Sequence, residues 1–136
     1  MKKLIFAAIL AFLATALFAQ TNLIQVDSAV QGLWTVEAQS TDGGATVQET
    51  GMTEPLCRVY GTKVDSYDGQ STKFSQITYF KDPKTGIIYN IILLEGRDIA
   101  WVVSKPNPPY ILLQIMDTSD NNNWKETVRY IIRLSE

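Results

Sequence analysis

The chain offers few combinations of residues from which an enzyme builds a nucleophile and its base. Its 136 residues include no histidine and one cysteine, Cys57. Without histidine, a serine nucleophile would depend on a lysine or a carboxylate as its base. No Gly-x-Ser-x-Gly or Ser-x-x-Lys motif surrounds Ser28, Ser40, Ser66 or Ser75. We therefore predict that the protein is not an enzyme.

Pairs of carboxylates are the remaining side chains that could act as catalytic groups. A glycosidase needs two carboxyl groups about 5 to 9 Å apart, and Glu49 with Glu54, or Asp65 with Asp68, are the pairs that the sequence offers. Both pairs fall in polar segments rich in turn residues. Such segments run over the protein surface, so we interpret these carboxylates as solvated loop charges.

Oxygen ligands are dense in residues 117–123, which read Asp-Thr-Ser-Asp-Asn-Asn-Asn. This segment lacks the Asp-x-Asp-x-Asp-Gly spacing and the distal glutamate of a calcium-binding loop. Histidine, the commonest metal ligand, is absent from the chain. The sequence thus predicts a plain hairpin loop here, with no metal site and no cofactor.

Aromatic side chains are the best material for a binding site. Small-molecule pockets are mostly apolar with a few polar groups, but rings also fill the interiors of small barrels. A register shift of one residue would reverse which rings face inward, so both interpretations stay open. The candidate ligand-binding residues are Tyr60, Phe74, Tyr89, Trp101, Tyr110 and Tyr130.

The elements that must position these rings are strands. From residue 32 onward, apolar residues recur with the two-residue period of half-buried strands. Turn residues separate the apolar segments, among them Asp-Gly at 68–69 and a Pro with a Gly in 82–86. The predicted strands are residues 32–38, 45–55 as a weak edge strand, 56–64, 71–81, 87–94, 99–104, 110–116 and 124–134.

Short connections and the lack of crossover helices indicate an all-β fold, an antiparallel up-and-down meander of about eight strands. A short helical turn is predicted within residues 26–30, before the first strand. A small sheet must manage its edges, and closing into a barrel is the most economical way. We expect a lipocalin-like barrel, with a two-layer sandwich as the alternative.

The N-terminus carries the pattern of a secretory signal peptide. Lys2 and Lys3 precede an apolar run over residues 4–18, and Ala19 offers a small-residue cleavage site. The run is shorter than the about 20 residues that span a bilayer. We expect removal of residues 1–19, or cleavage at the alternative site Ala14-Thr15-Ala16. Residues 20–136 then form one domain that is exported, either periplasmic or secreted.

Charge and cysteine content narrow the range of partners. The formal net charge of −2 becomes more negative once Lys2 and Lys3 are removed, and the remaining basic residues are scattered. Nucleic acid and anionic lipid are therefore not expected partners. Cys57 is predicted to be a buried core residue, with a disulfide-linked dimer as the alternative.

Gly32-Leu33-Trp34 opens the first predicted strand, just after the helical turn. This motif resembles the Gly-x-Trp signature of lipocalins and their calycin relatives. The resemblance implies that Gly32 and Trp34 have structural roles, with Trp34 closing one end of an eight-stranded barrel. It also implies that a late arginine, Arg133 or Arg129, packs over the indole.

Two functions follow from these observations. In the first, the protein binds a small hydrophobic molecule non-covalently inside the barrel or at its mouth. In the second, the barrel is filled, and its outer sheet or loops bind an envelope protein or a second copy of the chain. An apolar outer side formed by Ile88, Ile92 and Leu94 favours the second. The amount of free space inside the barrel distinguishes the two.

Overall fold

The computed structural model describes residues 21–135, so the predicted signal peptide, residues 1–19, lies outside the described residues. A 3-10 turn spans Ser28–Val30. None of the described helical segments is long and apolar enough to cross a membrane. The strands are β1 (Thr21–Leu23), β2 (Gly32–Ser40), β3 (Gln48–Glu49), β4 (Cys57–Val59), β5 (Lys63–Ser66), β6 (Ser71–Lys81), β7 (Ile88–Leu94), β8 (Ile99–Ser104), β9 (Tyr110–Asp117) and β10 (Lys125–Ser135).

Eight of these strands form a closed antiparallel ring. The order is β2, β4, β5, β6, β7, β8, β9 and β10, and β10 pairs with β2 again. In that last pairing Leu134 lies opposite Trp34, and Ile132 lies opposite Val36. The predicted up-and-down barrel is therefore confirmed, and the alternative of a two-layer sandwich is wrong.

The strands between β2 and β6 differ from the prediction. The single strand expected at 56–64 is two short strands, β4 and β5, joined by a tight turn in which Tyr60 N donates to Lys63 O over 2.9 Å. The turn contains Gly61, where a Cβ atom would lie 2.7 Å from Gln25 Oε1. The expected edge strand at 45–55 is only β3, which pairs with β2 outside the ring. β1, which was not predicted, pairs with β6.

One end of the barrel is closed by the segment before β2, and we call it the plugged end. Val26, Val30 and Trp34 are almost completely buried there. Val26 N donates to Gly61 O over 2.8 Å, and Trp34 Nε1 donates to Val30 O over 2.9 Å. The indole therefore fills the end of the interior with its one polar atom paired, as the resemblance to lipocalins implies for Trp34.

Neither late arginine packs over Trp34, which corrects the expectation from the resemblance. The residue opposite Trp34 on β10 is Leu134, so Arg133 falls one position away and points outward. There Arg133 Nη1 lies 3.0 Å from Glu37 Oε1. Arg129 is also on the outer face, and its Nη2 lies 2.8 Å from Glu126 Oε1.

Inward-facing side chains from all eight ring strands make one continuous core. The interior of an eight-stranded barrel is just wide enough for side chains to fill it. Half-buried Phe74, Trp101 and Tyr130 pack against this core. Its buried members on the strands are Trp34, Val36, Cys57, Val59, Val64, Ile77, Ile92, Leu94, Val103, Ile111, Leu113 and Ile132.

A second, smaller apolar cluster lies on the opposite face of β7, β8 and β9. The expected apolar outer side of Ile88, Ile92 and Leu94 is wrong, because Ile92 and Leu94 belong to the interior core. Alternation along β7 instead places the neighbouring residues outward. This outer cluster contains Tyr89, Ile91, Leu93, Ala100, Val102, Met116 and Trp124.

We predict that Gly32→Ala destabilises the protein by about 3 kcal/mol. Gly32 has a φ of 139°, and a Cβ atom there would lie 2.7 Å from Ser135 O on the strand that closes the ring. Gly69→Ala is the matched control, because Gly69 has a φ of 93° but nothing within 4 Å of the added atom. We expect Gly69→Ala to lower the free energy of unfolding by about 1 kcal/mol. Urea denaturation of both variants measures the difference, and equal losses would contradict a close approach of β2 and β10.

Candidate functional site

The interior of the barrel is occupied by large rings as well as aliphatic side chains. The ring centroids of Trp34 and Trp101 are 5.6 Å apart, and those of Phe74 and Trp101 are 6.2 Å apart in an edge-on arrangement. Ile92, Ile111 and Ile132 have no exposed surface in the same core. These contacts show that large side chains pack on one another in the part of the interior next to Trp34.

Three of the six candidate aromatic residues come together. Phe74, Trp101 and Tyr130 pack against the interior core but remain half-buried, as do Ile99 and Ile115. Phe74 and Trp101 lie near the starts of β6 and β8, and Ile115 lies near the end of β9. In an antiparallel meander these strand termini share the end opposite to the plugged end. We call it the far end, and these residues form its apolar floor.

The other three candidate residues lie elsewhere. Tyr60 and Tyr110 are exposed at the plugged end, where Lys63 Nζ lies 5.0 Å from the centroid of the Tyr60 ring. Tyr89 is in the outer cluster, and its ring centroid is 6.2 Å from that of Phe80. Burial and the nearby charge of Asp82 raise the pKa of the Tyr89 hydroxyl. The six residues do not line one common pocket.

Exposed apolar residues border the far end on the side of the short strands β4 and β5. Tyr67 N donates to Leu56 O over 3.2 Å, so these two residues are neighbours. Sequence reasoning missed this group because each member is a single apolar residue inside a polar loop. The group consists of Val47, Met52, Leu56 and Tyr67, which are 54%, 46%, 41% and 67% exposed, and we call it the apolar rim.

The loops at the far end carry mostly negative charge. These loops are residues 41–56, 67–70, 95–98 and 118–124, and Arg97 is their single basic residue. The loops at the plugged end carry no net charge by comparison, because Asp27 and Asp82 are matched by Lys84 and Lys105. The acidic residues of the far-end loops are Asp42, Glu49, Glu54, Asp68, Glu95, Asp98 and Asp120.

Arg129 belongs to a polar cluster on the outer face of β9 and β10. Its Nε lies 3.0 Å from Glu126 Oε2, and Gln114 Nε2 donates to Glu126 Oε1 over 2.9 Å. The Arg129 guanidinium also lies against the turn after β2, because a Cβ atom on Gly44 would be 3.0 Å from its Nη1. All three side chains are paired with one another, which is typical of a structural cluster.

Four of the carboxylates considered for catalysis or for calcium, Asp65, Asp68, Asp117 and Asp120, take part in local structure. Asp65 pairs with Lys63 at 3.5 Å. Asp117 Oδ1 accepts from Ser119 N over 2.9 Å, and this bond lowers the pKa of the Asp117 carboxyl. Asp120 Oδ1 accepts from Asn122 N over 3.1 Å. Within residues 21–135, no three His, Cys, Asp or Glu side chains are grouped so that they could hold a metal ion.

Cys57 is a buried member of the interior core and is not disulfide-bonded. Burial raises the pKa of its thiol to about 12. Because the thiolate is the reactive form, the folded protein protects this thiol. Among the described residues Cys57 is therefore a core side chain, which is the role that the sequence predicts for it.

We predict that Cys57 does not react with a disulfide reagent at pH 8 until the protein unfolds. Thr53→Cys, in an exposed loop, provides a second thiol that should react at once. The raised pKa of Cys57 in the folded protein also makes stability depend on pH. Above about pH 9, the ordinary pKa of a thiol, the unfolded chain ionises first, so stability falls as pH rises. Immediate labelling of Cys57 in the folded protein would contradict its burial.

Comparison with protein-family models, with curated proteins and with solved structures finds no match to this chain. The candidate site therefore stands on geometry alone. It is the far end of the barrel, with an apolar floor, an apolar rim and acidic loops.

Proposed function

We propose that the protein is an exported, non-enzymatic interaction protein with a filled, lipocalin-like barrel that binds a protein partner through its far end. The observation that supports this most is the apolar rim beside the half-buried floor, which includes Phe74, Trp101 and Tyr130. Exposed apolar residues grouped around one end of a domain are a mark of binding surfaces. Calycin membership, export and a periplasmic or secreted location belong to this proposal.

The acidic far-end loops define the chemistry of the partner. Negative charge around an apolar surface attracts positive segments and repels acidic ones. Tyr67, the most exposed member of the rim at 67%, offers a large ring with a polar tip, a residue type common in interface centres. The partner is therefore a segment of another protein of the same compartment that combines apolar and basic side chains.

The filled interior favours this function over a deep ligand site. Ring contacts between Trp34, Trp101 and Phe74 occupy the space in which a lipocalin-like carrier would hold its ligand. A bound molecule would have to displace well-packed side chains, and such rearrangements cost several kcal/mol. Apolar contacts with a partner are available at the rim without that cost.

A peptide experiment tests the proposed partner chemistry. The probes are two peptides of equal length, one alternating leucine with lysine and the other alternating leucine with glutamate. The lysine peptide should bind and should weaken as salt rises, because exposed charges are screened. Tyr67→Ser and Met52→Ser should each weaken binding by about fivefold or more, measured by fluorescence anisotropy. Ile24→Ser, at a residue that is 92% exposed and does not belong to the apolar rim, is the control and should have no effect.

Equal binding of the two peptides would contradict the charge argument. If Ile24→Ser weakened peptide binding as much as Tyr67→Ser, the location of the binding surface at the far end would be contradicted. Since Ile24 precedes the 3-10 turn at the plugged end, its substitution removes exposed apolar surface without touching the rim.

A small hydrophobic ligand at the mouth is the second candidate, because Phe74, Trp101 and Tyr130 converge there and stay half-buried. Native mass spectrometry of the protein purified from its own compartment tests it. A co-purifying small mass that is lost in Phe74→Ala would support the ligand function. A bare protein that also fails to bind an apolar fluorescent dye would count against it.

A further inference from the structure

A pocket of about 320 Å³ lies at the plugged end of the barrel, away from the proposed interaction surface. It is formed where the 3-10 turn, the β6–β7 loop and the segment after β8 meet. Its walls include Asp27, Val30, Ile87, Asn90, Lys105 and Pro106. The volume is at the lower end of the range for small-molecule sites.

Asn90 brings a buried polar side chain to this pocket. It is 1% exposed and is the one polar residue of β7. Its Oδ1 accepts from Asp27 N over 3.3 Å, whereas its Nδ2 donates to no group in the part of the chain that the structure describes. An amide donor without a protein acceptor at the wall of a pocket is available to an acceptor on a bound molecule.

Lys105 supplies a positive charge at the same pocket. It is half-buried, and among residues 21–135 its ammonium forms no ion pair. Asp27 is the acidic side chain in the wall, and its Oδ1 is already used by Ala29 N at 3.1 Å. An anionic group in the pocket would meet the Lys105 ammonium and the Asn90 amide, with Asp27 as the one acidic side chain of the wall.

Most of the remaining wall is apolar, and Thr85 is its one further polar side chain. Ile87, Ile88 and Pro106 line it. The β6–β7 loop is held in shape because Asp82 accepts from Lys84 N over 2.9 Å and from the Thr85 hydroxyl over 3.0 Å. A wall that is already shaped costs little to order on binding.

We propose that this pocket binds a small monocarboxylate with a short branched apolar chain. The carboxylate accepts hydrogen bonds from Asn90 Nδ2 and the Lys105 ammonium, and the chain lies against Ile87, Ile88 and Pro106. This site is independent of the far-end interaction surface, so either can be wrong without the other.

The test uses three probes that share a branched apolar chain and differ in their polar group: 4-methylpentanoate, its neutral amide, and 3-methylbutylamine. Two-dimensional NMR of the purified protein should show the Asn90 side-chain amide signals shifting with 4-methylpentanoate, with a Kd on the order of 1 mM. The amide should bind about tenfold more weakly, since it lacks the charge-assisted hydrogen bond, and the amine should not bind.

Lys105→Gln should weaken 4-methylpentanoate binding by about tenfold. Lys84→Gln, in the exposed β6–β7 loop but not in the pocket wall, is the matched control and should leave binding unchanged. Asn90→Asp should abolish binding, with its melting temperature checked because the residue is buried. The proposal is overturned if no probe shifts the Asn90 signals, if the amide binds as well as the carboxylate, or if Lys105→Gln behaves like Lys84→Gln.

Discussion

The pairing of β10 with β2 is the interaction on which the rest of the structure depends. It places Leu134 opposite Trp34 and Ile132 opposite Val36, and it turns an open meander into a ring without free edges. Gly32 permits the close approach, because any Cβ atom there would meet Ser135 O. With the ring closed and Trp34 at one end, inward-facing side chains from every ring strand share one core.

Packing inside the barrel limits where binding chemistry can occur. Phe74 and Trp101 pack on each other and Trp101 packs on Trp34, while Phe74, Trp101 and Tyr130 remain partly exposed. Apolar residues left outside that core then mark the surfaces that contact other molecules. The two ends differ in character, since the far end combines the apolar rim with acidic loops and the plugged end holds a small polar pocket.

Much of the fold was predictable from the sequence because each β segment has a clear two-residue period and a distinct turn. The late strands show this best: β7, β8, β9 and β10 lie within a few residues of their predicted ranges. β4 and β5 were predicted as one strand, since the three residues between them, 60–62, contain Gly61 as their only strong turn residue. β1 has only three residues and no such period.

Side-chain direction was less predictable than strand position. One residue of register decides whether Ile92 or Ile91 faces the core, and whether Arg133 or Leu134 meets Trp34. The apolar rim was missed because Val47, Met52, Leu56 and Tyr67 are single apolar residues in polar loops, where no period marks them. The plugged-end pocket joins residues from three separate segments, so only Asn90, a polar residue in an apolar strand, hinted at it.

Nuclear Overhauser contacts between β2 and β10 test the closed ring most directly. Our account predicts contacts between the backbone protons of Thr35 and Arg133 and of Trp34 and Leu134, which pair across the closing strands. Rapid amide exchange along β10, with no contacts to β2, would show an open sheet and would contradict the account.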